Sequence, residues 1–135
     1  MSKVGAVPVK GCGVDIIEVK RIARALARPG FCQRIYTPRE QDELMEKGAE
    51  SWAARFAAKE AVMKALGRGF TQGVPFSSVE ICSDPWGRPQ VRLLEPADRI
   101  AAEQGVKGFC LSLSHTKELA VAYVLALGEE ETCGS

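Results

Sequence analysis

The sequence has one histidine, His115, in 135 residues, and its five cysteines, Cys12, Cys32, Cys82, Cys110 and Cys133, form no C-x-x-C pair. A zinc cage is therefore excluded, and an odd, scattered set of thiols is no disulfide framework. Bland buried or tail thiols are the expectation. An excess of one charge is also missing, since 18 basic against 17 acidic side chains leave a formal net charge of +1. Domains that hold polyanions through bulk charge are strongly basic, so no nucleic-acid partner is expected and any electrostatic function must be local. Two Trp, two Tyr and five Phe add few surfaces for stacking bases. No apolar run approaches the roughly 20 residues of a bilayer span, and Lys10 interrupts the N-terminal run before a signal-peptide core develops. The reading is a cytoplasmic protein without a membrane partner.

Repeats, low-complexity tracts and long polar linkers are absent too. One domain over residues 1–128 is expected, with an acidic tail over 129–135 that reads as disordered. What is present, 46% hydrophobic and 26% charged residues, is the profile of an ordinary globular domain. At this length roughly two-thirds of the unfolded surface can be buried without disulfides or a structural metal.

Val7 to Asp15 reads as an opening strand, and Ile17 to Ala27 as a helix stopped by Pro29-Gly30. Thr37-Pro38-Arg39-Glu40 is a capping-box start with proline at the first helical position, and Gly48 is the expected stop. Ser51 is placed as the cap of a third helix from about Trp52 to Leu66, ended by Gly67. Val79 to Ser83 and Gln90 to Leu94 read as a hairpin around Asp84-Pro85-Trp86-Gly87. A short helix over Ala97 to Glu103 and a strand pair, Phe109 to Ser114 with Leu119 to Leu127, complete the chain. Helices with a mostly antiparallel sheet make the fold class α+β.

The third helix carries the most chemistry. Ala57, Ala58, Ala61, Val62 and Ala65 share one broad side and Trp52, Phe56 and Met63 the other, so it is apolar nearly all round and should be buried. It nevertheless holds Arg55, Lys59, Glu60 and Lys64. Glu60 and Lys64 stand one turn apart, either as a solvated pair worth a few tenths of a kcal/mol or as part of a site, because a half-buried carboxylate needs a compensating charge. Asp15 lies in an apolar run at the expected strand-to-helix junction. It either caps the following helix or joins a second carboxylate as a hard-cation site of the kind that holds Mg²⁺.

His115 ends a strand beside Ser114, Thr116 and Lys117. A structural role and a phosphate contact both fit this group of donors. The glycines at 67, 69 and 73 follow a helix and match neither dinucleotide nor Walker spacing. Glu18, Lys20, Arg21, Arg24 and Arg28 give the first helix a local charge of +3, which suits a solvated face or a docking surface for an acidic partner.

Three segments together resemble a known family. They are Gly13-Val14-Asp15-Ile16-Ile17 with Arg21-Ile22, then Arg55-Phe56-Ala57-Ala58-Lys59-Glu60-Ala61 with Lys64-Ala65-Leu66-Gly67, and Ser112-Leu113-Ser114-His115 with Ala120. In this order they are similar to the short 4′-phosphopantetheinyl transferases. The resemblance implies that family's α+β fold and transfer of 4′-phosphopantetheine from coenzyme A to a serine of apo-acyl carrier protein, in support of fatty acid biosynthesis. It also implies Mg²⁺ on Asp15 and Glu60, with Glu60 and Lys64 catalytic and Glu60 the leading base, directly or through a metal-bound water. Arg88, Pro89, Ser114, His115 and Thr116 would contact coenzyme A, and Arg21, Arg24 and Arg28 the carrier. Members commonly form homotrimers with active sites between subunits. A non-catalytic module that docks acidic proteins through the first helix is the rival reading, and it assigns nothing to Glu60, Lys64 and His115.

Overall fold

The computed structural model describes residues 5–69 and 72–130. Residues 131–135 of the expected 129–135 tail, Cys133 among them, and Phe70 and Thr71 of the glycine loop lie outside the described residues. Ten residues, Val9–Glu18, form strand β1, followed by helices α1 (Val19–Leu26), α2 (Phe31–Ile35), α3 (Pro38–Leu44) and α4 (Ala49–Leu66). A 3₁₀ turn over Phe76–Ser78 leads to the hairpin β2 (Val79–Ser83) and β3 (Pro89–Leu93), then α5 (Ala97–Glu103), β4 (Gly108–His115) and β5 (Leu119–Leu127). β5 lies between β1 and β4 in an antiparallel three-stranded sheet, and β2 and β3 form a separate pair. The α+β class expected from the sequence is what the fold shows.

β1 outruns its expected end by three residues. Ile16 and Ile17 pair with Val121 and Ala120 of β5, and β-branched side chains fit a pleated sheet better than a first helical turn. α1 therefore starts at Val19, not Ile17, and Glu18 occupies its N-cap without a side-chain bond. Asp15 is mid-strand opposite Ala122, so the capping role is ruled out. Arg28 falls beyond α1, in the turn, with its guanidinium 5.9 Å from the Phe31 ring centroid. The five-residue α2 was not anticipated, since it is too short to show a period.

The capping box forms as read, with Thr37 N–H donating to Glu40 Oε1 at 2.8 Å and Glu40 N–H to Thr37 Oγ1 at 3.2 Å. α3 stops at Leu44 instead of running to Gly48. Gly48, not Ser51, is the N-cap of α4, which starts at Ala49. Gly67 ends α4 as expected, in the left-handed region at φ 68°, and the Gly67 and Arg68 amides return to Lys64 and Met63 carbonyls.

α4 is the core helix. Ala53, Ala57, Ala58, Ala61 and Val62 are fully or almost fully buried, and so are Phe56 and Met63 on its other side. It packs on β1 and β5 through small residues: Gly11 and Gly13 of β1, and Ala120, Ala122 and Ala126 of β5. A Cβ at Gly11 would collide with the Ala65 carbonyl oxygen, and one at Gly13 with that of Ala61. Bare glycine lets the two backbones touch. Gly11, Gly13 and Asp15 alternate onto the same inward face, so this contact also sets how close Asp15 comes to the helix.

A buried ionic network closes the other side. Lys59 and Glu40 are 0% exposed and form an ion pair of 2.6 Å. The Lys59 ammonium also donates to the carbonyls of Phe76, at 3.0 Å, and Val79. Burial pulls Lys59 below the ordinary ammonium range, and Glu40 opposes that pull. Glu40 Oε2 accepts from Ile81 N–H at 2.8 Å, and the Thr37 hydroxyl donates to Glu80 Oε2 at 2.7 Å. Among the described residues no helix is long and apolar enough to cross a membrane.

Candidate active site

Asp15 leaves β1 towards the last turns of α4. Its carboxylate meets the Lys64 ammonium at 3.2 Å, and Lys64 also donates to the Val14 carbonyl at 2.9 Å. Glu60 stands one turn earlier, half-buried. Burial pushes its carboxyl above the ordinary glutamate range and the Asp15 charge adds to the push, while Lys64 and Arg21 act against it. The solvated-pair reading of Glu60 and Lys64 thus gives way to a four-group cluster. A cleft of about 220 Å³ opens from Glu60, Met63 and Lys64 along Gly67, Arg68, Gly69 and Gln72.

Two hard carboxylates, of which Glu60 is pushed up by burial and then by the Asp15 charge, with space on one side, fit a divalent cation completed by water and phosphate oxygens. The described residues contain no group of three or more His, Cys, Asp or Glu placed to hold a metal by themselves. Two protein carboxylates are the usual provision where substrate phosphates supply other ligands.

The larger cleft, about 730 Å³, lies elsewhere, between the first half of α4, the β2–β3 hairpin and the end of β4. Arg88, Pro89 and His115 line it, as do Lys47, Ser51, Arg55 and Trp86. Ser114 faces away with the outer surface of the sheet, opposite Val121. Thr116 turns its hydroxyl into the β4–β5 turn, where it accepts from the Glu118 and Leu119 amides. The hairpin tip is rigid: Asp84 Oδ1 accepts from the Trp86 and Arg88 amides at 2.9 and 2.8 Å, and Gly87 takes φ 84°.

Arg55 is the cleft residue that sequence reasoning left without a role. It donates to the Ile81 carbonyl, to Glu43 at 2.9 Å and to the Ser83 hydroxyl at 3.2 Å. Burial works against ionised Glu43, but the Ser83 amide and Arg55 outweigh it and hold its carboxyl below the ordinary range. Arg55, though paired with Glu43, lines the cleft together with Lys47 and Arg88, and cations gathered on one cleft suit an anionic ligand. The available signal was a cation on a helix apolar all round.

The chain matches the family model of the 4′-phosphopantetheinyl transferase superfamily over residues 11–124. It belongs to that superfamily. It is 47% identical over 128 residues to a holo-[acyl-carrier-protein] synthase of Desulforudis audaxviator, covering 92% of this chain and 97% of the relative. The acyl carrier protein synthase of Plasmodium yoelii, solved with ADP bound, superposes with a TM-score of 0.84 at 31% identity, over 93% of this chain and 99% of that one. The Bacillus anthracis holo-(acyl-carrier-protein) synthase, solved in complex with coenzyme A (3′,5′-ADP), superposes with a TM-score of 0.75 at 36% identity, over 92% and 100%.

In this transferase-superfamily chain the two clusters occupy opposite sides of one helix. Ser51 and Glu60, and likewise Arg55 and Lys64, are nine residues apart in sequence, which is about 180° around an α-helix and about 14 Å along it. Arg21 and Arg24 are exposed on α1, and Arg21 is near enough to act on Glu60. The first helix therefore borders the carboxylate cluster, not the larger cleft.

Proposed function

We propose that the chain is a holo-acyl-carrier-protein synthase that moves 4′-phosphopantetheine from coenzyme A to a serine of apo-acyl carrier protein. The observation that carries this is the open Asp15–Glu60–Lys64 cluster in a chain of this superfamily. The serine oxygen attacks the phosphorus bearing pantetheine, the bond to the adenosine-side phosphate breaks, and its electron pair leaves with adenosine 3′,5′-bisphosphate. Phosphoryl transfer depends chiefly on positioning and on neutralising charge. Lys64 supplies a cation to the diphosphate, and Glu60, directly or through a bound water, takes the serine proton. Mg²⁺ held by Asp15 and Glu60 would supply Lewis-acid neutralisation of the diphosphate. Arg55, Arg88, Pro89 and His115 receive the nucleotide end. Arg21, Arg24 and Arg28 dock the acidic carrier, which delivers its serine beside Glu60. The setting is fatty acid biosynthesis in the cytoplasm.

The active enzyme is a homotrimer with active sites between subunits. The number three follows the family resemblance. Sharing of the site is supported by the geometry of α4, because the diphosphate adjoins the nucleoside in coenzyme A whereas the cleft and the carboxylates are on opposite sides of a helix about 10–12 Å thick. The outer face of the three-stranded sheet supplies an apolar contact, since Val14, Ile16 and Tyr123 are 55%, 63% and 50% exposed and paired on one surface.

The test mixes protein, coenzyme A, Mg²⁺ and apo-carriers from several bacteria and weighs the carrier. A gain of one phosphopantetheine is expected, and no gain on any carrier defeats the reading. Co-expression of Asp15→Ala and Arg55→Ala chains, each inactive alone, should restore part of the activity by pairing intact halves. Absence of recovery in mixed oligomers rules out the shared site.

A further inference from the structure

The Lys59–Glu40 network has no part in the chemistry above, and burial of the helix does not require it. Ala53, Ala57, Ala58, Ala61, Val62 and Leu66 already seal α4 against the rest of the core. Buried ion pairs seldom add net stability, because desolvation offsets most of the attraction, and apolar replacements are often neutral or better. A charge network that folding does not need calls for another explanation.

The surface of α4 supplies one. Its contact with the sheet is made of Ala61 and Ala65 against Gly11 and Gly13, with Ala120, Ala122 and Ala126 beside them. Side chains interlock and fix helix register when ridges fill grooves. Alanine against glycine gives shallow ridges and tolerates small rotations of the helix. Lys59 supplies what that surface lacks, because its ammonium is held from three directions: by the Phe76 carbonyl of the 3₁₀ turn, the Val79 carbonyl of β2, and Glu40 of α3. Glu40 is itself fixed, by Ile81 N–H on one oxygen and Thr37 N–H on the other. Rotation of α4 would strain these three contacts together.

We infer that Lys59 is a positioning residue, which pins the rotation of α4 through Glu40 and the carbonyls of Phe76 and Val79 and so holds the next residue, Glu60, at the distance from Asp15 that a divalent cation requires. The inference rests on the transferase reading. Polar groups that hold a ligating residue in place commonly change affinity about 10–100-fold when removed.

The test replaces the pair together, Lys59→Met with Glu40→Gln, so that neither partner is left as an unpaired buried charge. Wild-type protein is assayed first, and its failure to modify any carrier would dispose of the transferase reading without bearing on Lys59. With active wild type, the double variant is expected to stay folded, with a melting temperature within a few degrees of the parent. Its turnover should fall about 10-fold or more. The Mg²⁺ concentration that half-saturates coenzyme A binding, read by calorimetry, should rise by a similar factor. A folded double variant with parental turnover and an unchanged Mg²⁺ midpoint overturns the inference. So does one that does not fold, since the network would then hold up the core rather than aim Glu60.

Discussion

α4 carries two ionic clusters of opposite design. Lys59 and Glu40 are sealed from solvent, and both Glu40 oxygens and the Lys59 ammonium are engaged. Asp15, Glu60 and Lys64 are only part-covered. Lys64 is about half exposed, and burial together with the Asp15 charge raises the proton affinity of Glu60 against the pull of Lys64 and Arg21. The Lys59–Glu40 pair has satisfied its charges and is fixed, although the neighbouring Glu80 keeps one buried oxygen without a hydrogen bond; the second cluster retains unspent acceptor capacity. Structure holds where electrostatics is closed, and a ligand is taken up where it is left open.

The contrast breaks most visibly at Lys59. Lys59→Met alone leaves Glu40 as an uncompensated buried carboxylate and should cost about 3–5 kcal/mol of unfolding free energy, read from urea denaturation. Loss of less than about 1 kcal/mol would show that the sealed cluster is not sealed. Asp15→Ala and Glu60→Ala should each lower turnover about 10²–10³-fold while circular dichroism and melting remain near the parent. Full activity in both would remove the cation from the open cluster. Lys64→Ala should likewise cut turnover, yet shift stability by less than about 1 kcal/mol, because its ion pair faces solvent. The smallest effect runs in the other direction. Without divalent cations, Glu60→Gln should stabilise the protein slightly, by about 0.5 kcal/mol at most after allowance for screening, as it removes a half-buried charge and its repulsion by Asp15. Since the folded state raises the Glu60 pKa, wild type loses stability as pH rises through the raised value, and the advantage of the variant should grow in that direction. A variant that is less stable at neutral pH would contradict the repulsion.

Local signals were enough for the parts that are local. Thr37-Pro38-Arg39-Glu40 is a complete capping box within four residues, and Gly67 a complete helix stop. The grouping of Asp15 with Glu60 and Lys64 was legible through family resemblance. Other features were out of reach because long-range pairing decides them. Ile16 and Ile17 belong to β1 only because β5 lies beside them. The burial of Lys59 depends on carbonyls 17 and 20 residues away, and nothing in its helix distinguishes it from Lys64. Arg55 acquires its role from a hairpin almost 30 residues downstream.

Cys82 adds a chemical contrast within the same core. Burial pushes its thiol up to about 12, and Glu80 and Glu43 add to the effect. Its thiolate is therefore scarce at neutral pH. Alkylation of Cys82 should wait for unfolding, and rapid modification of the native protein would show that the sheet–helix seam opens.

Gly11 and Gly13 work as a depth gauge. The distance between Asp15 and α4 is set by two methyl groups that are not there. Any mutation that adds a carbon at either position moves the strand outward and takes Asp15 with it, without touching a charged atom. Every replacement of glycine by another amino acid adds a side chain, so the spacing can drift in one direction only. The outward residues of the same strand, Cys12, Val14 and Ile16, carry no such restriction from α4. A library over β1 should therefore tolerate apolar exchange at Val14 and Ile16, which the subunit contact requires to stay apolar, and reject every exchange at the glycines between the outward positions.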